Sequence, residues 1–141
     1  GVQSTDADEK YVDMAHQFGE KVGIAFQIKD DLFDYGDAEI GKPLGIDIKE
    51  KKMTLPLIYA LQNTTRSLRK QMIKTIKNDS DNPVKVKEVI DFVKSTGGIA
   101  YATQRMQEFA QEARDLLQQF PDSAYRTSLE NLLNYTIERN K

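Results

Sequence analysis

Three aspartates fall within five residues: Asp30, Asp31 and Asp34, in the stretch DDLFD. Aspartate is a weak former of helix interiors, and like charges four residues apart on a helix repel. Near the C-terminal end of a helix they also face the negative end of its dipole. Glutamate would carry the same charge at lower cost. Acidic clusters are most often solvated helix faces, but a chain that accepts these costs is suited to holding a cation. Hard carboxylate oxygens with no cysteine or histidine nearby point to Mg2+ or Ca2+ rather than zinc. The spacing is not that of an EF-hand loop, which argues against calcium buffering. Mg2+ is typically held by one or two carboxylates together with substrate phosphates.

The segment that follows supplies the complement. Residues 36–53 contain Gly36, Gly41, Pro43 and Gly45 and the lysines 42, 49, 51 and 52. Lys42 and Lys52 are point charges suited to phosphate oxygens. The glycines let backbone approach a ligand closely. Structureless connections of this length are commonly binding loops or lids. Lys49 and Lys51 are read as solvated. Carboxylates that hold Mg2+, with lysines beside them, describe a diphosphate site.

A helix must position the aspartates. On a helical repeat Gly23, Gln27, Asp30, Asp31 and Asp34 form one stripe, while Val22, Ala25, Phe26, Leu32 and Phe33 take other faces. The helix is expected over residues 5–35, from a capping-box-like Thr5 and Asp8 to a stop at Gly36, with Val12 and Ala15 continuing the apolar spacing. Residues 36–53 are expected to form no element. Thr54 is expected to cap a helix with Pro56 in its first turn. That helix runs to about residue 78, with a break near Asn63-Thr64-Thr65. Asn82 and Pro83 open another, to Ser95. Gly97 and Gly98 punctuate, and an amphipathic segment continues to Phe120. Pro121 and Asp122 are expected to start a last helix bearing Leu129, Leu132, Leu133 and Ile137. No alternation of period two and no internal repeat occurs. The fold class is therefore all-α, about five to six helices, with residues 1–141 as a single unit.

Composition fits this reading. The chain has 141 residues, 39% hydrophobic and 30% charged, with a formal net charge of −2. There is no basic field for nucleic acid and no polybasic block for an anionic membrane. The absence of cysteine excludes disulfides and thiol nucleophiles and is compatible with a cytoplasmic location. No apolar run approaches the ~20 residues of a membrane span. His16, the single histidine, is read as a hydrogen-bonding side chain rather than a base. Tyr101 and Arg105 are read as helix packing and surface.

Taken in order, Gly23, Phe26, Gln27, Asp30, Asp31, Asp34, Gly41, Lys42, Gly45, Asp47, Lys52, Thr54, Leu55 and Pro56 resemble a known pattern. It is the second aspartate-rich region of the trans-isoprenyl diphosphate synthases, the polyprenyl synthetases. Lys51 departs from it, standing where the family usually has glycine. Arg139 is similar to a C-terminal arginine of the family. The resemblance implies an isoprenoid-synthase helical bundle and a trans-prenyltransferase of the polyprenyl or octaprenyl type. Such an enzyme joins an allylic diphosphate to isopentenyl diphosphate with Mg2+ as cofactor. Asp30 and Asp34 would be Mg2+ ligands, with Asp31 in the same shell. Lys42 and Lys52 would bind the allylic diphosphate, and Gln27 would face the reacting end of the substrate.

For the full-length form the resemblance implies a homodimer, and peripheral membrane association through a long prenyl product. The family also needs an earlier DDxxD motif and a GGKR-type segment for isopentenyl diphosphate. Neither occurs in this sequence. The chain is therefore expected to be the C-terminal half of a synthase, truncated on its N-terminal side and inactive alone. The exposed side of its first helix is expected to lack its partners. Two other readings compete: a noncatalytic subunit of a heteromeric synthase, and a helical interaction module with an acidic stripe.

Overall fold

The computed structural model describes residues 6–35 and 45–138, apart from the side chains of residues 6–8 and 138. Thr5, Gly36, Lys42 and Arg139 lie outside the described residues. The described elements are all helical: α1 (Asp6–Phe33), α2 (Ile46–Lys49), α3 (Leu55–Gln62), α4 (Arg66–Asn78), α5 (Pro83–Ser95), α6 (Gly98–Leu117) and α7 (Ala124–Glu138). The all-α class holds, with seven helices among the described residues where five to six were expected. None is long and apolar enough to cross a membrane.

The extra elements have local causes. The break expected near Asn63-Thr64-Thr65 separates α3 from α4, Thr65 starting the new helix with its hydroxyl oxygen accepting the Leu68 amide at 3.2 Å. Within the stretch expected to lack structure, Ile46–Lys49 forms one helical turn, anchored by Ile48, which is 1% exposed. One apolar side chain with a core to enter is enough to order a turn that the sequence marks only with glycine and lysine. The last helix starts at Ala124 rather than at Pro121 and Asp122, because Ser123 accepts the Arg126 amide at 3.2 Å and so takes the cap. Asn82 and Pro83 open α5 as expected, the Asn82 side chain accepting the Val84 amide.

The chain divides into two compact units. The first comprises residues 1–27 and 106–141. Its core joins Met14, Phe18 and Val22 of α1 to Ala110, Ala113 and Leu117 of α6, to Phe120, and to Leu133 of α7. Met14, Phe18 and Val22 stand four apart and share a helical ridge. Val12, expected to belong to the apolar face, lies across the helix from that ridge and is 71% exposed. Phe26 is also exposed, and Leu132 is half exposed while its neighbour Leu133 is buried.

The second unit, residues 28–105, packs α3, α4 and α5 around Leu57, Ala60, Leu61, Met72, Ile76, Val89 and Val93. Tyr35 and Ile48 enter the same core. Tyr101 stacks on Tyr59 with ring centroids 4.3 Å apart, the packing role expected of it. Gly98 opens α6 because a Cβ there would lie 2.5 Å from the Pro56 carbonyl oxygen, so only glycine permits this approach.

Candidate functional site

α1 delivers the acidic residues at its C-terminal end, and the chain then returns over them through α2. Asp31 is 6% exposed, Asp34 0% and Asp47, from α2, 7%. Asp30 is half-buried. The acidic stripe is thus not a wet face at this end of the helix. Lys52 donates from Nζ to Asp31 Oδ1 at 3.2 Å. The Asp47 amide donates to Asp34 Oδ1 at 3.1 Å, and the Lys52 amide to the Asp47 carbonyl at 2.8 Å. The Asp34 amide reaches back to the Asp31 carbonyl at 3.3 Å. These four bonds close a ring through Asp31, Asp34, Asp47 and Lys52.

Two backbone features make the return possible. Gly45 adopts φ 80, a left-handed conformation, and a Cβ there would also collide with the Val86 side chain. Its amide donates to the Asp34 carbonyl at 3.1 Å. Lys51 adopts φ 62, the only non-glycine residue with positive φ among those described. This is the position at which the sequence departs from the pattern it resembles.

Tyr35, next to Asp34, enters the core of the second unit. It is 2% exposed, and its hydroxyl shares a 3.0 Å hydrogen bond with Thr54 Oγ1. Thr54 precedes α3 as expected, but its hydroxyl serves Tyr35 and makes no cap bond. Burial pushes the Tyr35 phenol well above its usual range. The Thr54 hydrogen bond opposes this, and the charges of Asp34, Asp47 and Asp31 add to it. The Lys52 ammonium is also raised, first by its hydrogen bond to Asp31, then by the charges of Asp31, Asp47 and Asp30.

One carboxylate, Asp31, therefore meets the ammonium, and the charges of Asp47 and Asp30 act on it. Asp47 Oδ2 is buried without a hydrogen-bond partner. A buried carboxylate oxygen left so is costly, and a cation relieves it. The hard-oxygen donor set and this oxygen fit a hard divalent ion such as Mg2+. Among the described residues no three acidic side chains form a ready-made coordination set.

The residues expected from the sequence are sorted by this geometry. Asp31, Asp34 and Lys52 are brought together. Asp30 lies close enough to act on Lys52 through its charge. Gln27 is exposed one helical turn before Asp31. Lys42 lies outside the described residues. His16 is exposed. Sequence reasoning did not single out Asp47 and Tyr35 as site residues. Asp47 had a signal in the GKPLGID string, whereas Tyr35 had none beyond adjacency to Asp34.

Comparison with known proteins decides the family. The family model described as polyprenyl synthetase matches residues 1–93. The chain belongs to the polyprenyl synthetase family. It is 36% identical over 132 residues to an all-trans-nonaprenyl-diphosphate synthase (geranyl-diphosphate specific) of Rhodobacter capsulatus, covering 92% of this chain and 40% of that one. Its fold matches a geranylgeranyl pyrophosphate synthase from Bacteroides thetaiotaomicron with a TM-score of 0.81 at 39% identity, covering 98% of this chain and 45% of that one. A polyprenyl synthase from Caulobacter crescentus, solved with calcium and isoprenyl diphosphate, matches with a TM-score of 0.77 at 26% identity, covering 92% of this chain and 40% of that one. The polyprenyl synthetase chain described here thus spans less than half the length of these relatives.

Proposed function

We propose that this chain supplies one metal-and-diphosphate half-site of a trans-prenyltransferase, of the polyprenyl or octaprenyl type. The whole enzyme would condense an allylic diphosphate with isopentenyl diphosphate. The observation that carries the reading is the cation-poor acidic ring. Asp31, Asp34 and Asp47 are buried, Lys52 meets Asp31, and Asp47 Oδ2 has no hydrogen-bond partner. The acidic set Asp30, Asp31 and Asp34, joined by Asp47, forms the metal end. Bound Mg2+ would neutralise the diphosphate and so turn it into a leaving group. Lys52, whose side chain is 40% exposed, turns from Asp31 to a diphosphate oxygen. Lys42 is assigned the same ligand, and Gln27 the reacting end of the substrate. The relative solved with calcium and isoprenyl diphosphate supports this pairing of hard cation and diphosphate.

Condensation also needs a second acidic motif and an isopentenyl diphosphate segment, which these 141 residues do not contain. The chain alone is therefore assigned binding without turnover. The complete enzyme is read, on the family resemblance, as a cytoplasmic homodimer whose long product brings it to membranes. The test is Asp31→Ala in the complete synthase, which is expected to lower kcat about a hundredfold or more. Unchanged turnover and unchanged Mg2+ dependence would reject the assignment.

A further inference from the structure

We propose that the exposed face of α4 is a docking surface for a bilayer rich in anionic lipid headgroups. α4 reads RSLRKQMIKTIKN and carries five cations and no acidic residue, while the chain as a whole is net negative. Arg66, Lys70, Lys74 and Lys77 stand at i, i+4, i+8 and i+11. They share one side of the helix, in a row roughly 16 Å long. All four are exposed. The opposite side carries Met72, Thr75 and Ile76, which are buried. Arg69 stands apart: it is half-buried, its Nε donating to the Leu61 carbonyl at 2.6 Å. The sequence shows no contiguous basic block here because other residues separate these cations, and the helix lines them up.

The row is unfavourable for α4 by itself. Like charges at i, i+4 repel, and the first turn, which favours acidic side chains, has none and begins with Arg66. Among the described residues none of the four cations pairs with a carboxylate, whereas Lys21, Lys52 and Lys85 do. Asp79 and Asp81 follow the end of the helix, beyond the row. Unpaired like charges in a line suit a partner that brings its own negative charges in a plane. Lipid phosphates do that, and each lysine or arginine near such a surface strengthens binding about fivefold. Met72 and Ile76 are committed to the core, so the contact is electrostatic and inserts no apolar face. α4 has no aromatic residue on which bases could stack, which argues against a single-stranded nucleic acid. The choice of a bilayer rests in part on the function proposed above, since a long prenyl product must leave for a membrane. The row would hold the enzyme there before any product is made.

The experiment measures co-sedimentation of the 141-residue chain with product-free vesicles at ~0.1 M salt. One set is pure phosphatidylcholine, the other equal parts of phosphatidylcholine and phosphatidylglycerol. Wild type is expected to bind the anionic set at least about tenfold better, and to be released at ~1 M salt, where charges are screened within ~3 Å. Lys70→Gln, Lys74→Gln and Lys77→Gln together are expected to lower anionic-vesicle binding about a hundredfold, and Lys74→Gln alone about fivefold. Glutamine is a good helix former and these side chains are exposed, so the melting temperature should not change. The same loss of charge at exposed lysines outside α4, by Lys10→Gln, Lys87→Gln and Lys94→Gln, is expected to lower binding less than about threefold. Equal losses in the two triple variants would reduce the effect to net charge and overturn the proposal. So would a wild type that does not prefer anionic vesicles. Tighter binding to a DNA duplex than to the anionic vesicles would assign the row to nucleic acid and overturn it as well. No substrate or metal is present in this assay, so failure of the diphosphate half-site would show separately, as unchanged turnover in Asp31→Ala with vesicle binding intact.

Discussion

The two ends of α1 treat polarity and burial in opposite ways. Near the start, Met14, Phe18 and Val22 fill the core of the first unit, and Val12 across from them is 71% exposed. Near the end, in the second unit, Asp31 and Asp34 are polar, yet they are 6% and 0% exposed. Helical phase sets which side chains share a side. It does not set whether that side meets water. At the C-terminal end the chain doubles back, and a single turn of helix, pinned by Ile48, covers the acidic edge. Three carboxylates are thereby taken out of bulk water, with one ammonium among them.

The sharpest way to break this comparison is to remove one anchor at each end. Phe18→Ala should cost about 3–5 kcal/mol by denaturant unfolding, the usual range for emptying a buried aromatic site. Ile48→Ala should cost about 2–5 kcal/mol and should also weaken pyrophosphate binding, because it loosens the cover of the acidic edge. Where Phe18→Ala folds, its binding should match wild type. Equal binding losses in the two variants would mean that the ends are not distinct.

Alkaline titration gives a smaller effect. The folded Tyr35 phenol is raised and must stay neutral, while an unfolded tyrosine loses its proton near pH ~10. Above that pH the unfolded state holds fewer protons, so stability falls as pH rises. The folded Lys52 ammonium is also raised above its unfolded value of about 10.4, so its contribution is full below that pH and lost as pH climbs through the folded value. Both act in the same direction. Melting temperature should drop as pH rises above about 10, and Tyr35→Phe should make the drop shallower. The same substitution should cost about 1–2 kcal/mol at neutral pH, because it strands the buried Thr54 hydroxyl. An alkaline drop as steep in Tyr35→Phe as in wild type would refute the assignment of that effect to Tyr35.

The smallest effect tests the turn itself. Lys51 holds φ 62, where a side chain costs about 1–2 kcal/mol relative to glycine. Glycine also loses more freedom on folding, about 0.5–1 kcal/mol. Lys51→Gly should therefore raise stability by roughly 0.5–1 kcal/mol, read from the denaturant midpoint. A loss of stability would show that the lysine side chain supports the turn.

Much of the fold follows from short-range chemistry. Asn82-Pro83 and Gly97-Gly98 place helix ends because capping oxygens, proline geometry and glycine approach act within a few residues. The start of α7 went to Ser123 rather than Pro121 because its hydroxyl sits where the orphan amides are. The ordered string from Gly23 to Pro56 was enough for the family resemblance, and spacing alone set Asp30, Asp31 and Asp34 on one stripe. Only the tertiary structure decided that this stripe is buried, that Asp47 joins it, and that Asp34 faces an amide while Asp31 faces a lysine. The physical reason is range. Helical periodicity and caps act over one or two turns. The bonds that close the site link residues 13 and 21 positions apart, and their partners are chosen by how the chain folds back.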